Sequence, residues 1–390
     1  MSEEAGRTTR RFLTPPVRQV HDFLRARMES QHMKVSVDAV GNLRGLWNAE
    51  NATGKRLILG SHIDTVPDAG AFDGVLGVVL ALELVESARR LQLPMTLEVI
   101  AFSEEEGVRF SFPFIGSRAV AGRLDPAMLD FKDADGVSIG DAIEAFGINP
   151  GVNADAVADH DAIGFVEFHI EQGPVLEAEE LSVAAVGSIV GQTRLDLRFV
   201  GHANHAGTTP MHLRNDAMAG AAEWIAKVEP LARRTEGLVA TVGKVEVQPN
   251  AGNVIPGVVE ASLDVRHVHD SVRRTEVDAL LEAADAISIR RGLKIESTMK
   301  MDEVSVPMDE RLTAFMTDAM VAAGFPPKLI ASGAGHDAMI MAGRMPAAML
   351  FLRSPGGISH HPDETVRVED VEAALKVGER FLERLAGELG

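Results

Sequence analysis

Leu57-Ile-Leu-Gly-Ser-His62-Ile-Asp64-Thr-Val-Pro-Asp-Ala-Gly-Ala-Phe-Asp73 is the stretch on which the reading of this chain turns. A short apolar run closes at Gly60-Ser61, a turn-rich loop follows, and the segment from Gly74 to Arg90 has the apolar spacing of a helix. Strand, polar loop and helix in that order mark the carboxyl end of a strand in an α/β sheet, where such folds build their sites. His62 and Asp64 are two positions apart, so on a continuing strand they face the same side. There the carboxylate can take the second imidazole proton and fix which nitrogen faces a metal ion. Asp73 directly precedes Gly74 and the helix, a place for a helix cap or for an oxygen ligand.

The same grammar repeats outward. Leu97-Glu-Val-Ile-Ala-Phe102 is a second apolar run, ending in Ser103-Glu-Glu-Glu-Gly107, and strand, long helix, strand is the βαβ pattern of a parallel or mixed sheet. Upstream, residues 15 to 35 carry a helical pattern (Val17, Val20, Phe23, Leu24, Met28), and Val35 to Leu46 reads as two strands about a turn at Gly41-Asn42. A third strand end, Gly164-Phe-Val-Glu-Phe-His-Ile-Glu-Gln-Gly173, carries His169. After Gly191 the texture changes: Leu195, Leu197 and Phe199 alternate with Arg194, Asp196 and Arg198, and Val259 to Arg266 alternates likewise. Such strands belong to an antiparallel sheet with one wet face, covered on the other by helices near 214 to 229 and 270 to 290. The apolar run Ala347 to Leu352 restores the first texture, and a helix from about Glu369 closes the chain. The predicted architecture is an α/β mixed-sheet domain over 1–192 and 306–390, with a small α+β domain, 193–305, inserted into it. The 390 residues exceed the roughly 250 to 300 at which single cores stop growing, in keeping with two domains.

Composition narrows the function. With 38 Lys+Arg against 57 Asp+Glu the formal charge is −19, a field that repels nucleic acid and anionic membranes. There is no cysteine, so any metal site must use His, Asp and Glu. The first residues lack the apolar core of a signal peptide, and no window approaches the roughly 18 apolar residues of a membrane span, so a cytoplasmic protein is expected.

Four strand or loop ends thus offer His62, Asp64 and Asp73, then Glu104, Glu105 and Glu106, then His169, then His360 and His361 in Gly356-Gly-Ile-Ser-His-His-Pro-Asp363. Ionised groups are rarely buried unless paired or bound to metal, so this set is hard to explain as packing. Its ligand types suit Zn²⁺ or Mn²⁺, and a carboxylate such as Asp73 can bridge two ions at the roughly 3.5 to 4 Å of two-metal hydrolases. Consecutive residues at a strand end point opposite ways, so one of Glu105 and Glu106 is expected to bind metal while the other faces the attacking water.

Several longer motifs carry a resemblance. Ser61-His-Ile-Asp-Thr-Val, Phe72-Asp-Gly, Glu104-Glu-Glu-Gly-Val-Arg-Phe110, His169-Ile-Glu-Gln-Gly, His202-Ala-Asn-His-Ala-Gly-Thr-Thr-Pro210, Gly335-His-Asp-Ala and Ile358-Ser-His closely resemble the dinuclear metallopeptidase-like amidohydrolases. That family includes N-carbamoyl-L-amino-acid hydrolase, β-ureidopropionase and allantoate amidohydrolase, relatives of aminoacylases and carboxypeptidase G. The resemblance implies two divalent ions, one held by His62, Asp73 and His169, the other by Asp73, Glu106 and His360. It implies Glu105 as general base and Asp64 as the partner of His62, while His361 is an extra histidine beside the matching ligand. It also gives the inserted domain the part of a lid and dimerisation domain. There His205 would stabilise the oxyanion from the partner of a homodimer, Asn253 and Arg266 would hold the substrate, and Gln172 and Gln192 would make amide contacts. His336 in the Gly-His-Asp motif lies near the substrate in the family or is purely structural.

The relatives cleave a ureido or amide C–N bond beside a carboxylate, releasing ammonia and carbon dioxide in the ureido case. Val66-Pro-Asp-Ala-Gly-Ala-Phe-Asp73 and Phe102 to Phe110 look closer to allantoate amidohydrolases than to carbamoylases. The expected substrate is therefore allantoate, with N-carbamoyl-L-amino acids or β-ureidopropionate as the alternative. A non-catalytic ureide binder is the alternative of another class, against which stand the full ligand set and the base.

Overall fold

The structure, a computed structural model, describes residues 1–50, 52, 54–151 and 162–389. The chain forms two compact units, Met1–Gly187 with Met308–Gly390, and Ser188–Pro307, so the second interrupts the first in sequence. The α/β fold class read from the texture of the strands is the observed one: a mixed sheet in the first unit and a separate antiparallel sheet in the second.

In the first unit the strands lie in the order Lys34–Val37, Leu43–Asn48, Thr96–Phe102, Arg56–His62, Ala162–Ile170, Ala347–Leu352, Val183–Ile189. The four from Thr96–Phe102 to Ala347–Leu352 are mutually parallel, and their neighbours on either side are antiparallel. Every residue of Thr96–Phe102 and of Ala347–Leu352 is buried, which is why these strands read as continuous apolar runs. Helix Val75–Arg90 packs on Arg56–His62 and Ala162–Ile170, and the closing helix Val368–Leu389 packs on it in turn. Leu57, Leu59, Val99, Val166, Phe168, Leu84, Val85 and Phe381 share one core, each buried side chain contributing roughly 1.5 to 3 kcal/mol. The helical pattern of residues 15 to 35 stops at Ser30, because His32 takes a left-handed φ of 61° and a strand begins at Lys34.

The second unit is a five-stranded antiparallel sheet in the order Val245–Gln248, Val258–His267, Gly191–Val200, Lys294–Glu303, with Val239–Thr241 also on Val258–His267. Strict alternation along Gly191–Val200 and Val258–His267 buries Leu195, Leu197, Phe199, Val259 and Leu263 under Trp224, Leu280 and Ile287 of the two helices. Those helices run Ala217–Arg234, where Asp216 caps the Ala219 N–H, and Asp270–Arg291; the Trp224 indole N–H donates to the Leu280 carbonyl at 2.9 Å and ties them together. Among the described residues no helix is long and apolar enough to cross a membrane.

Candidate metal centre and active site

The parallel strands end on one edge of the sheet. From Arg56–His62 the chain moves to Thr96–Phe102 on one side, while Ala162–Ile170 lies on the other, so the edge between them is a topological switch point. His62 is the last residue of its strand and His169 the next to last of its neighbour, and their Nε2 atoms lie 3.5 Å apart. Gly74, at the start of the following helix with φ 68°, lets the backbone pass under the His62 ring; a Cβ there would stand 2.5 Å from the ring atoms.

Asp73 joins the two halves of the site. Its Oδ1 lies 3.1 Å from His169 Nε2 and 3.5 Å from His62 Nε2, and its Oδ2 lies 3.1 Å from His360 Nε2, which is 3.6 Å from Glu106 Oε1. Two groups of ion size result: His62, Asp73 and His169, all buried, and Asp73, Glu106 and His360. His62 also gathers with Glu105 and Glu106. Asp73 does not cap the helix that follows it, since that helix begins without a side-chain cap and the carboxylate turns to the imidazoles.

The imidazole hydrogen bonds test whether cations fit. His62 Nδ1 lies 3.1 Å from the backbone carbonyl oxygen of Asp64, and His169 Nδ1 lies 2.8 Å from that of Ile170. Each Nδ1 therefore carries the proton, and each Nε2 lone pair is aimed at the Asp73 carboxylate. Among the described residues, Asp73 Oδ1 is buried without a hydrogen-bond donor. Lone pairs converging on an unpartnered carboxylate oxygen call for positive charge between them, and the donor set suits divalent zinc or manganese.

The Asp64 carboxylate lies 3.4 Å from His62 Nδ1, with the Asp64 carbonyl nearer at 3.1 Å, and the same carboxylate also accepts the backbone N–H groups of Glu105 at 3.0 Å and Glu106 at 3.1 Å. One expectation needs correction: Glu105 and Glu106 do not diverge. The strand stops at Phe102, Gly107 takes φ 69°, and on the turning chain both carboxyl groups reach the same space as His62. Glu104 is buried beneath them and accepts the Gly107 N–H.

Electrostatics follow from the crowding. Burial alone would raise the Asp73 carboxyl, but the imidazoles of His169, His360 and His62 gathered around it hold it well below the usual carboxylate range. Burial pushes Glu105 well up, against the pull of His62 and with the help of Glu106; Glu106 itself is pushed up to about 7 by burial, with His62 opposing. Burial acts to lower His62 and His169, yet their carboxylate neighbours raise both.

His360 reaches this cluster and His361 does not: the latter's Nδ1 lies 3.6 Å from Asp363 and its side chain is 59% exposed. The Gln172 amide donates to Asp73 Oδ2 at 2.9 Å. Two residues outside the expected ligand set, Glu167 and the His336 of the Gly-His-Asp motif, surround the ligands. Glu167 accepts the Ser61 hydroxyl at 2.8 Å and the Ala338 N–H at 2.9 Å, and the His336 ring packs 4.5 Å from that of His169 while its Nε2 meets the Ser332 hydroxyl. Glu167 was visible as a lone charge inside Phe165-Val-Glu-Phe-His169, two positions before the histidine and so on its face.

In the second unit, Arg266 and Gln192 are cross-strand partners, and both bind Asp264: Arg266 through Nε and Nη2, each at 2.9 Å, Gln192 at 2.6 Å. His205 and Val254 pair in a short ladder, and Asn253 accepts the Ala206 N–H. The Gly207 and Thr208 N–H groups both donate to His205 Nδ1, so the neutral ring carries its proton on Nε2 and presents a donor.

A mixed α/β sheet whose carboxyl edge gathers imidazoles and carboxylates in ion-sized groups has the candidate metal site of a hydrolase. The model of peptidase family M20/M25/M40 matches residues 58–384, and the chain belongs to that family. It is 37% identical to allantoate deiminase 2 of Glycine max over 99% of this chain and 87% of the relative, and 37% identical to the N-carbamoyl-L-amino acid amidohydrolase of Geobacillus stearothermophilus over 96% and 92%. A hydantoinase/carbamoylase-family amidase from Burkholderia multivorans shares the fold with a TM-score of 0.92 at 32% identity, over 97% of this chain and 93% of that one. Within the family the chain is an amidohydrolase of the hydantoinase/carbamoylase group, acting on C–N bonds.

Proposed function

We propose that this protein hydrolyses the ureido C–N bond of a small carboxylate-bearing substrate, with allantoate first, using two divalent ions. The observation that carries the reading is Asp73, whose two oxygens face His62 and His169 on one side and His360 on the other. His62, Asp73 and His169 would hold one ion, and Asp73, Glu106 and His360 the other. When bound, such ions supply Lewis acidity toward a water and toward the substrate carbonyl.

The chain's own residues do the rest. Glu105, buried and raised in proton affinity, takes the proton of the attacking water and passes it to the leaving nitrogen. Asp64 holds the Glu105 and Glu106 backbone so that both carboxyl groups keep their places. His205, with Nε2–H as donor, stabilises the developing oxyanion, and it acts on substrate held by the partner chain of a homodimer. Arg266 grips the substrate carboxylate as a planar fork oriented by Asp264, and Asn253, Gln172 and Gln192 add amide contacts.

Allantoate is supported by Val66 to Asp73 and Phe102 to Phe110 and by the Glycine max relative. N-carbamoyl-L-amino acids are the second substrate class, supported by the Geobacillus stearothermophilus relative. Ammonia release measured over a panel of ureides at saturating Mn²⁺ or Zn²⁺ tests this. A larger kcat/KM for allantoate is expected; a larger one for N-carbamoyl-L-amino acids selects the second class, and no release from any ureide overturns both.

A further inference from the structure

Glu364 lies four residues beyond His360 and is 5% exposed, with no place in the ligand set. Its Oε1 accepts the backbone N–H of Phe72 at 2.9 Å and of Asp73 at 3.0 Å, and its Oε2 accepts the Ser359 hydroxyl at 3.0 Å. That hydroxyl also lies 3.2 Å from Asp73 Oδ2, while the Glu364 N–H closes a turn onto the His361 carbonyl. One buried side chain thus ties the loop that carries Asp73 to the loop that carries His360. Gly70 makes room for it: a Cβ there would fall 2.3 Å from Glu364 Cβ.

The loop it secures needs securing. His62 and His169 sit on buried strands, whereas His360 sits on a loop with its side chain 48% exposed and its backbone at φ 56°, a left-handed conformation that a non-glycine residue keeps only when its surroundings impose it.

Resting on the two-ion reading above, we propose that Glu364 is a positioning residue that latches the His360 loop to Asp73 and so sets the affinity of the ion held by Asp73, Glu106 and His360. The ion held by His62, Asp73 and His169 depends on it far less, because strand hydrogen bonds hold those two histidines. Reach matters here rather than charge, since the latch consists of accepted hydrogen bonds. A glutamine keeps an acceptor for both N–H groups and offers an amide to Ser359, which remains free to donate to Asp73. An aspartate keeps the charge but withdraws it by one methylene.

The full-length chain is equilibrated with Mn²⁺ over a range of chelator-buffered concentrations, and ions retained per chain are counted for wild type, Glu364→Asp, Glu364→Gln and His360→Ala. Wild type is expected to fill two sites. Glu364→Asp should shift filling of the weaker site by roughly ten- to a hundredfold, as loss of an outer partner of a metal ligand does, and leave the tighter site in place. Glu364→Gln should stay near wild type, and Glu364→Asp on the His360→Ala background should change nothing further. Both sites weakening together, Glu364→Gln losing the ion as Glu364→Asp does, or neither variant moving it would overturn the latch; so would a Glu364→Gln chain that fails to fold. A wild type that never takes up two ions would instead overturn the dinuclear reading on which the latch rests.

Discussion

The Asp64 carboxylate accepts the backbone N–H of Glu105 at 3.0 Å, so a residue of the loop after one strand holds in place the carboxyl loop after the next. This fixes the Glu105 backbone without using its carboxyl group, which stays available beside His62. Glu105→Gln is expected to keep both ions and lose about 10² to 10⁴ in kcat, the usual contribution of a positioned base. Parallel assays of activity and metal content check it, and full activity with Glu106→Gln retaining both ions would exchange the two roles.

His360→Ala is expected to reduce retained metal from two ions per chain to one, and His361→Ala to leave it at two, because His360 approaches Asp73 whereas His361 turns to Asp363. Asp73→Ala, which removes the carboxylate common to both groups, should bring the count below one. Elemental analysis after desalting reads all three.

If His205 serves the partner's substrate and Arg266 its own, His205→Ala and Arg266→Ala homodimers should each lose at least about 10² in rate, as removal of an oxyanion donor does. A mixed dimer of the two, purified by different tags, has one site with both lesions and one with neither. It should recover up to about half the wild-type activity per dimer. Recovery no greater than either parent would place both residues in service of one chain.

His21 is buried against Phe146, ring centroids 5.4 Å apart, and its Nε2 finds no hydrogen-bond partner among the described residues. Burial, with Arg25 and Arg18 nearby, lowers its pKa from 6.5 to about 4, so the folded chain keeps it neutral where the unfolded chain protonates it. Stability from this site is complete above pH 6.5 and lost as pH falls from there toward 4. Between pH 7 and pH 5 the loss is about 2 kcal/mol. Urea unfolding of wild type and His21→Leu at both pH values should show the variant lacking that share of the acid destabilisation.

Much of this molecule is legible along the chain. Burial on both faces makes Thr96–Phe102 and Ala347–Leu352 continuous apolar runs, and a wet face makes Gly191–Val200 alternate, so the two sheets separate by texture alone. His62, Glu104 to Glu106 and His169 stand out for the same reason, as polar side chains placed where apolar strands end.

Tertiary structure decided the rest. Period-two alternation holds only while the chain is extended, and past Phe102 or Leu352 left-handed turns at Gly107, Gly356, Gly357 and His360 set where each side chain points. Hence Glu105 and Glu106 converge although strand geometry would part them, and His360 rather than its neighbour meets Asp73. Glu364 and Glu167 matter through backbone groups, Phe72 and Asp73 in one case and Ala338 in the other, that lie far from them in sequence. Those N–H groups belong to any residue type, so the order of side chains carries no mark of the partnership, and only the packed fold brings donor and acceptor within reach.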